Sequence, residues 1–387
     1  MERKSVTVLG ATGSIGASTL DLIRHHHDRY DVRVLTAGSN VERLIRLAQE
    51  FKPEYVAIAN QKSITQLKSQ CPDSKVISVD EAALVDTDWT MAAIVGTAGL
   101  IPTMNAIQRG KQVAFASKEC LVAAGNLMMR AVRDNGATLL PVDSEHNAIY
   151  QVFDDKQKSS VKRLILTASG GPFRGWNYEQ MQTVTPAQAV AHPTWSMGAK
   201  ISVDSATLMN KALEVIEAHY LFNMPSEKID VIIHPQSLIH SMVEYNDGSI
   251  LSQMGPSDMR TPIAYCLGWP ERIDTSAPAL DLETIQKLTF ERPDTDKFKS
   301  LAMVRQVLRE GQAACIVFNA ANEIANQAFL DEKIPFLKIY DAIEESLCKM
   351  GKRTIDNMED VIALDHDTRH ITLKYISDRD NKKIHYA

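Results

Sequence analysis

Five cysteines in 387 residues, at positions 71, 120, 266, 315 and 348, lie too far apart to form any CxxC pair. That argues against a cysteine-built zinc site and fits free thiols in a reducing compartment. No apolar run approaches the roughly 20 residues that a membrane span requires. No lysine or arginine block stands out, and the net charge of −6 is spread along the chain. Nucleic acid and anionic membranes are therefore not expected partners. The first β-branched run already begins at Ser5, leaving no room for a targeting peptide, so a cytoplasmic location is expected. No internal repeat is visible.

What is present starts with a 44% apolar content, ample for two or three cores in a chain too long for one. Residues 5–9 are a short β-branched run, followed at once by Gly10-Ala11-Thr12-Gly13-Ser14-Ile15-Gly16 and a helical pattern through Ile23. Strand, glycine turn and helix in GxxGxxG spacing form a dinucleotide fingerprint, with the pyrophosphate expected at the helix N-terminus. A second strand, 32–37, ends in Gly38-Ser39-Asn40, with no acid where an NAD enzyme would hold the ribose 2′-hydroxyl. That favours NADP, with Ser39, Asn40 and Arg43 as candidate holders of the 2′-phosphate; Arg43 reads equally well as a solvated helix residue. Further strands at 55–59, 92–95 and 112–116 alternate with helical stretches, as in a parallel doubly wound sheet. Ser117-Lys118-Glu119 follows the strand 112–116, where open α/β sheets place ligand-contacting loops. Cys120 has apolar neighbours and reads as a buried, inert thiol rather than a nucleophile.

The apolar run 137–142 gives out at Asp143-Ser144-Glu145-His146. In extended backbone Asp143 and Glu145 share a face, and two hard oxygen donors there suit Mg²⁺ or Mn²⁺; the alternative is a solvated turn. Residues 163–167 read as a strand running into Ala168-Ser169-Gly170-Gly171-Pro172, either a phosphate-cupping loop or a plain Gly-Pro turn. The polar stretch 173–200, with His192 and Trp195 near its far end, reads as a lid. Beyond it, Leu208, Ala212, Val215 and Ile216 keep helical spacing, with Ser205 available as N-cap. Asn210, Lys211 and Glu214 then share one polar side: a solvated face, or a third metal carboxylate beside a phosphate-binding set. Residues 271–300 read as a linker, and 302–309, 313–329, 338–350 and 367–376 as helices. In Asp365-His366-Asp367 an Asp is expected to N-cap the last of these, and the tail 378–387 to fray.

These strings carry a resemblance. Gly-Ala-Thr-Gly-Ser-Ile-Gly from Gly10, Leu-Pro-Val-Asp-Ser-Glu-His-Asn-Ala-Ile from Leu140, Lys-Ile-Ser-Val-Asp-Ser-Ala-Thr from Lys200, His-Pro-Gln-Ser-Leu-Ile-His-Ser from His234 and Asn-Ala-Ala-Asn-Glu from Asn319 resemble the 1-deoxy-D-xylulose 5-phosphate reductoisomerase family along almost the whole chain. The resemblance implies an α/β protein: an NADP-binding Rossmann domain at 1–142, a central α+β catalytic, metal-binding and dimerisation domain with a lid at 143–270, a linker at 271–300, and a small helical domain at 301–387.

It also implies an activity, the metal- and NADPH-dependent conversion of 1-deoxy-D-xylulose 5-phosphate to 2-C-methyl-D-erythritol 4-phosphate in non-mevalonate isoprenoid synthesis, by retro-aldol and aldol steps followed by hydride transfer. Asp143, Glu145 and Glu214 would hold Mg²⁺, Mn²⁺ or Co²⁺. Lys118, Glu145 and His192 would be catalytic. Ser144, Lys118 and His192 would meet substrate oxygens, Ser169, Ser205, Asn210 and Lys211 its phosphate, and Trp195 and Met197 would cover it. Thr12, Gly13, Ser14, Ile15, Gly38, Ser39, Asn40, Ser117, Glu119 and Gly198 would line the NADPH site. Familiar members of that family carry a basic residue in place of Ser39 and Asn in place of Ser117, so cofactor selectivity is where this chain is expected to depart. A homodimer follows from the resemblance, with residues 231–243 as a candidate pairing sheet. Two other readings remain: a different two-domain NADP dehydrogenase working through Cys120, and a non-catalytic NADP-sensing regulator.

Overall fold

The computed structural model describes residues 3–195, 197–350 and 353–384, with side chains through residue 378. Strand β1 (Lys4–Leu9) leads through the glycine turn into α1 (Ser14–His25). The alternation continues with β2 (Tyr30–Ala37), α2 (Val41–Phe51), β3 (Tyr55–Ile58), α3 (Ile64–Gln70), β4 (Lys75–Ile77), α4 (Val79–Leu84), β5 (Trp89–Ala92), α5 (Leu100–Gln108), β6 (Gln112–Phe115), α6 (Lys118–Asn135), β7 (Thr138–Pro141) and α7 (Ser144–Val152). Among the described residues these strands form one parallel seven-stranded sheet, ordered β4-β3-β2-β1-β5-β6-β7. Strand β1 lies between β2 and β5, so the winding reverses beside it, where open sheets bind ligands beyond their carboxyl ends. Val6, Val8 and Leu9 are fully buried, as expected for a parallel strand covered on both faces.

The strand expected at 92–95 lies three residues earlier. Pairing with β1 sets Trp89 opposite Val6 and Ala92 opposite Leu9, and Val95 is left exposed beyond the strand end. The buried Trp89 indole also donates to the Cys266 carbonyl at 2.9 Å. Strand β4 is only three residues long, too short for periodicity to reveal.

The chain continues with β8 (Val161–Ala168), α8 (Tyr178–Met181), α9 (Pro186–Val190), α10 (Ala199–Ala206), α11 (Met209–Phe222), β9 (Ile229–Ile233), β10 (Ile239–Tyr245), β11 (Ile250–Met254), α12 (Arg260–Gly268), α13 (Leu282–Ile285), α14 (Ser300–Glu310), α15 (Gln312–Leu330), α16 (Lys338–Met350) and α17 (Met358–Ile384). Strands β8 to β11 form a second sheet, ordered β11-β10-β8-β9, with only the β8–β9 pair parallel. By packing, residues 1–120, 128–150 and 258–280 form one unit, and 121–127, 151–257 and 281–387 another. The expected division at 142, 270 and 300 is one of function rather than of packing.

Within the second unit, the kink of α6 at Ala124 is met by one side chain. The Gln312 amide donates to the carbonyls of Val122 and Ala123, both at 2.9 Å, and accepts from the Asn126 N–H at 3.1 Å. Beside the kink, Gly125 lies flat on the Tyr220 ring, where a Cβ would come within 2.3 Å.

The stretch read as a lid, 173–200, carries α8 and α9, each begun by a reciprocal capping box, Asn177 with Gln180 and Thr185 with Gln188. Three further sequence readings change. Ser205 is not an N-cap. It lies inside α10, and the break before α11 falls at Leu208, whose φ of 53° is left-handed. Helix α17 begins well before residue 367, where Asn357 caps it by accepting from Asp360 N–H at 2.9 Å. Asp365 therefore sits in mid-helix, bound to Arg369 one turn on at 2.7 Å. The tail expected to fray continues α17 to Ile384, and its last residues, 385–387, lie outside the described ones. The segment 271–300 holds the short α13 and a single bridge between Ile233 and Glu291. No helix among the described residues is long and apolar enough to cross a membrane.

Candidate active site

In the first unit, the glycine turn is shaped by close approach. A Cβ on Gly16 would stand 2.4 Å from the Gly10 carbonyl oxygen, and Gly10 itself has φ of 85° with Ala93 O 2.4 Å from where its Cβ would be. Gly10 N–H donates to the Thr36 hydroxyl at 3.0 Å, tying the turn to β2. Gly13 caps α1 without any side-chain bond, and the first helical turn carries no acid. The Gly13 N–H closes the turn onto the Gly10 carbonyl at 3.0 Å, and the start of α1 at Ser14 and Ile15 presents the positive end of the helix dipole beside Thr12, which fits a pyrophosphate. At the end of β2, Gly38, Ser39 and Asn40 are exposed; Asn40 caps α2 by accepting from Arg43 N–H at 3.1 Å. The Arg43 guanidinium turns back to the Thr12 carbonyl at 3.1 Å, which brings a cation beside the glycine turn.

Farther along the same sheet edge lies a charged cluster. Parallel pairing sets Phe115 opposite Pro141, so the residues just beyond β6 and β7 emerge side by side. The nearly buried Lys118 ammonium forms an ion pair with Asp143. His146 Nδ1 lies 3.5 Å from the same carboxylate oxygen. Burial pushes the Asp143 carboxyl upward, but Lys118 and His146 outweigh it and hold the group well below the usual carboxylate range. Glu145 is in the first turn of α7, so the expectation that it reaches Asp143 along extended backbone is corrected: the chain turns from strand into helix at Ser144. The convergence survives by that other route, with ligand oxygens of Asp143 and Glu145 within 4.8 Å. The Ser144 hydroxyl donates to Glu145 at 2.5 Å. Charged oxygen donors of this kind fit a hard dication.

Ser117 and Glu119 are buried beside Lys118, and the Ser117 hydroxyl meets the Cys120 sulfur at 3.2 Å. The Cys120 thiol is fully buried and donates to the Gly96 carbonyl at 3.4 Å, which is no posture for a nucleophile.

In the second unit, Ser169 follows β8 directly. Two backbone N–H groups, from Thr194 at 3.2 Å and Trp195 at 2.9 Å, point at His192 Nδ1. That nitrogen must therefore be the bare acceptor, and Nε2 carries the proton it donates to the Ser169 oxygen at 2.9 Å. Burial lowers the His192 pKa, in keeping with the neutral ring. The Ser169 oxygen also accepts from Gly171 N–H at 3.2 Å, which leaves its own hydrogen to donate elsewhere. Gly171, at φ 67°, packs on the end of α10, where a Cβ would lie 2.7 Å from the Ser205 carbonyl. On α11 the nearly buried Lys211 pairs with the fully buried Glu214, and Asn210 donates to the other Glu214 oxygen. An ammonium and an amide on one side of α11 are the donor types that suit an anion. Trp195 is half-buried, its ring 6.3 Å from that of His240; Met197 is likewise half-buried, and the exposed Gly198 caps α10.

The sequence reading missed His146 and Glu217, both fully buried. Each stands three residues after a chosen carboxylate, Asp143 or Glu214, so helical spacing was the available signal. It also missed Asp204, Asn322 and Asn326; the two asparagines stand four apart on α15, but no spacing links them to Asp204.

Family models described as 1-deoxy-D-xylulose 5-phosphate reductoisomerase and as its C-terminal domains match residues 6–125, 139–222 and 254–371. The chain is 51% identical over 380 residues to the reductoisomerase of Rhodospirillum centenum, covering 97% of this chain and 94% of that one. It is 52% identical over 372 residues to that of Zymomonas mobilis, covering 95% and 96%. Among solved structures, the Zymomonas mobilis enzyme in complex with NADPH superimposes with a TM-score of 0.93 at 49% identity, over 97% of this chain and 99% of the other. A DOX-P reductoisomerase in complex with NADPH, fosmidomycin and magnesium gives 0.92 at 42% identity, over 97% and 98%. The glycine turn, the Lys118–Asp143 edge and the α11 carboxylate thus lie in a chain that belongs to the 1-deoxy-D-xylulose 5-phosphate reductoisomerase family.

Proposed function

We propose that this chain converts 1-deoxy-D-xylulose 5-phosphate to 2-C-methyl-D-erythritol 4-phosphate with NADPH and a divalent metal, Mg²⁺, Mn²⁺ or Co²⁺. The observation that carries the reading is the edge of the parallel sheet, where Lys118 is held against Asp143 with Glu145 in reach, in the same unit as the glycine turn. In this reading residues 1–142 hold the nucleotide, 143–270 the metal and substrate, 271–300 link, and 301–387 form the helical domain.

Asp143, Glu145 and Glu214 would hold the cation, which when bound polarises the substrate ketone and steadies developing negative charge on its oxygens. NADPH supplies the hydride for the final reduction. Thr12, Gly13, Ser14 and Ile15 would receive its pyrophosphate, and Gly38, Ser39, Asn40 and Arg43 its adenosine end. Ser117, Glu119 and Gly198 complete that set.

The bond between substrate carbons 3 and 4 would break in a retro-aldol sense and the fragments rejoin as a branched aldehyde phosphate, which is then reduced. Lys118 presents a fixed ammonium to a substrate oxygen and can hold or give a proton there. Ser144 donates to a neighbouring oxygen. His192 keeps its proton on Nε2 and turns the Ser169 hydroxyl outward to the phosphate, which Ser205, Asn210 and Lys211 also grip. The phosphate makes and breaks no bond, so its binding energy is free to close Trp195 and Met197 over the site and exclude water from the fragments.

A cytoplasmic homodimer accompanies this reading. The second sheet has two edge strands for strand addition, β11, with Ile250 and Leu251 exposed, and β9, which opens the segment 231–243; β10 of that segment is already paired on both sides.

The test is NADPH oxidation, followed by absorbance, with 1-deoxy-D-xylulose 5-phosphate and Mg²⁺ or Mn²⁺, repeated with EDTA and with NADH. Oxidation requiring substrate and metal together and preferring NADPH is the expected result. A folded, metal-loaded protein that oxidises nothing refutes it.

A further inference from the structure

The corner between α10 and α11 is held from outside by the C-terminal helices. Thr207 and Leu208 make the corner, and Leu208 adopts φ 53°, a conformation a leucine keeps only where its surroundings impose it. Thr207 turns its N–H and hydroxyl back to Val203 O, both at 3.0 Å. Its carbonyl accepts two bonds from far along the chain, from Ser300 Oγ on α14 at 3.0 Å and Tyr340 OH on α16 at 2.9 Å. One turn earlier, the Asp204 carboxylate is 1% exposed. One of its oxygens accepts from Asn322 and Asn326 of α15, each at 2.9 Å, and the other meets the Lys200 ammonium at 2.8 Å. Asn326 also donates to the Lys200 carbonyl at 3.0 Å.

Four side chains from three helices therefore converge on two acceptors, Asp204 and the Thr207 carbonyl. Apolar packing could bury these helices equally well, but it has no directional hold on a carbonyl. The corner so held carries Ser205 on one side and Asn210 and Lys211 on the other, with Gly171 of the Ser169 loop pressed on Ser205 O.

We infer that Asn322, Asn326, Ser300 and Tyr340 are positioning residues for the substrate phosphate, acting through Asp204 and the Thr207 carbonyl. This rests on the reading that Ser169, Ser205, Asn210 and Lys211 bind that phosphate. The helical domain thereby sets how well a phosphate is gripped, without touching it.

The test uses the full chain as wild type, as Tyr340→Phe, and as the double variant Asn322→Leu/Asn326→Leu. Two readouts are taken: KM for sugar phosphate and for NADPH, and the inorganic phosphate concentration giving half-maximal thermal protection. The double variant should raise both the sugar phosphate KM and the phosphate midpoint about tenfold, and Tyr340→Phe about threefold, with the NADPH KM changed less than twofold. A fall in melting temperature with both phosphate readouts unchanged makes the contacts merely structural and overturns the inference. Should the double variant fail to fold, Tyr340→Phe, which loses one oxygen, decides. A wild type that shows phosphate protection but no turnover refutes the functional reading alone, and the midpoints of the variants still judge the inference. A wild type without phosphate protection overturns it.

Discussion

Two buried lysines in this chain each lie against a carboxylate, and they are brought there in opposite ways. Lys211 and Glu214 are three residues apart on α11, so one helical turn suffices to pair them. Lys118 and Asp143 come from the ends of adjacent parallel strands, and only the β6–β7 register joins them. The first pair accompanies a helix wherever it goes, while the second is as good as the sheet beneath it. The local pair also receives a second donor from Asn210, whereas the sheet-built pair shares its carboxylate with His146. The reading above gives each pair a different task, phosphate and metal at α11, metal and reacting oxygens at the sheet edge.

The sharpest way to break the comparison is to remove the carboxylates. Glu214→Gln and Asp143→Asn should each cut turnover about a thousandfold or more, a loss of about 4 kcal/mol in transition-state stabilisation. Activity retained at limiting metal would take that residue out of the ligand set. Both variants take a carboxylate from beside a buried lysine ammonium, so a stability loss of about 3 kcal/mol by denaturant titration is expected as well.

Removing the lysines should separate the two roles. Lys118→Ala is expected to lower kcat about a hundredfold with a modest change in KM, and Lys211→Ala chiefly to raise the sugar phosphate KM, about tenfold or more. Steady-state kinetics on both variants decides, and equal kcat losses would mean that both lysines serve the same step.

A pH series sharpens the sheet-built pair. Asp143 is held below its ordinary pKa of about 3.9, so its contribution to stability is full above that value and is lost as pH falls through its lowered folded pKa. The stability curve of Asp143→Asn should therefore be flatter than that of the wild type below about pH 4, measured by urea unfolding. His192 has the same sign: its folded pKa lies below the ordinary value of about 6.5, so the ring stays neutral there and charges only at lower pH. Protonated Nδ1 would face the N–H groups of Thr194 and Trp195, so the sugar phosphate KM should rise in acid and this rise should be absent from His192→Gln.

The smallest effect is expected outside both pairs. Arg43→Ala should weaken NADPH binding about threefold to tenfold and narrow its margin over NADH, leaving metal and phosphate affinities alone. An unchanged margin, measured by cofactor titration, would return Arg43 to the solvated face of α2.

What could be read without coordinates followed from local rules. The glycine turn, the hard acids of Asp143-Ser144-Glu145 and the polar side of α11 each need only neighbours within a few residues. Where the reading slipped, a partner distant in sequence had decided the outcome. Trp89 was placed in β5 by its pairing with β1 and its indole bond to Cys266, and Ser205 was drawn inside α10 because the helix breaks at a strained Leu208. The capping boxes of α8 and α9 were legible and overlooked.

By itself, then, the amino-acid order determined the nucleotide turn, the donor chemistry and the family, because these rest on residue type and short spacing. The tertiary structure alone decided that Lys118 meets Asp143, that His192 keeps its proton toward Ser169, and that Asn322, Asn326, Ser300 and Tyr340 hold the α10–α11 corner. Such contacts join residues tens to more than a hundred positions apart, and only the burial of strand and helix faces against one another selects which of them meet.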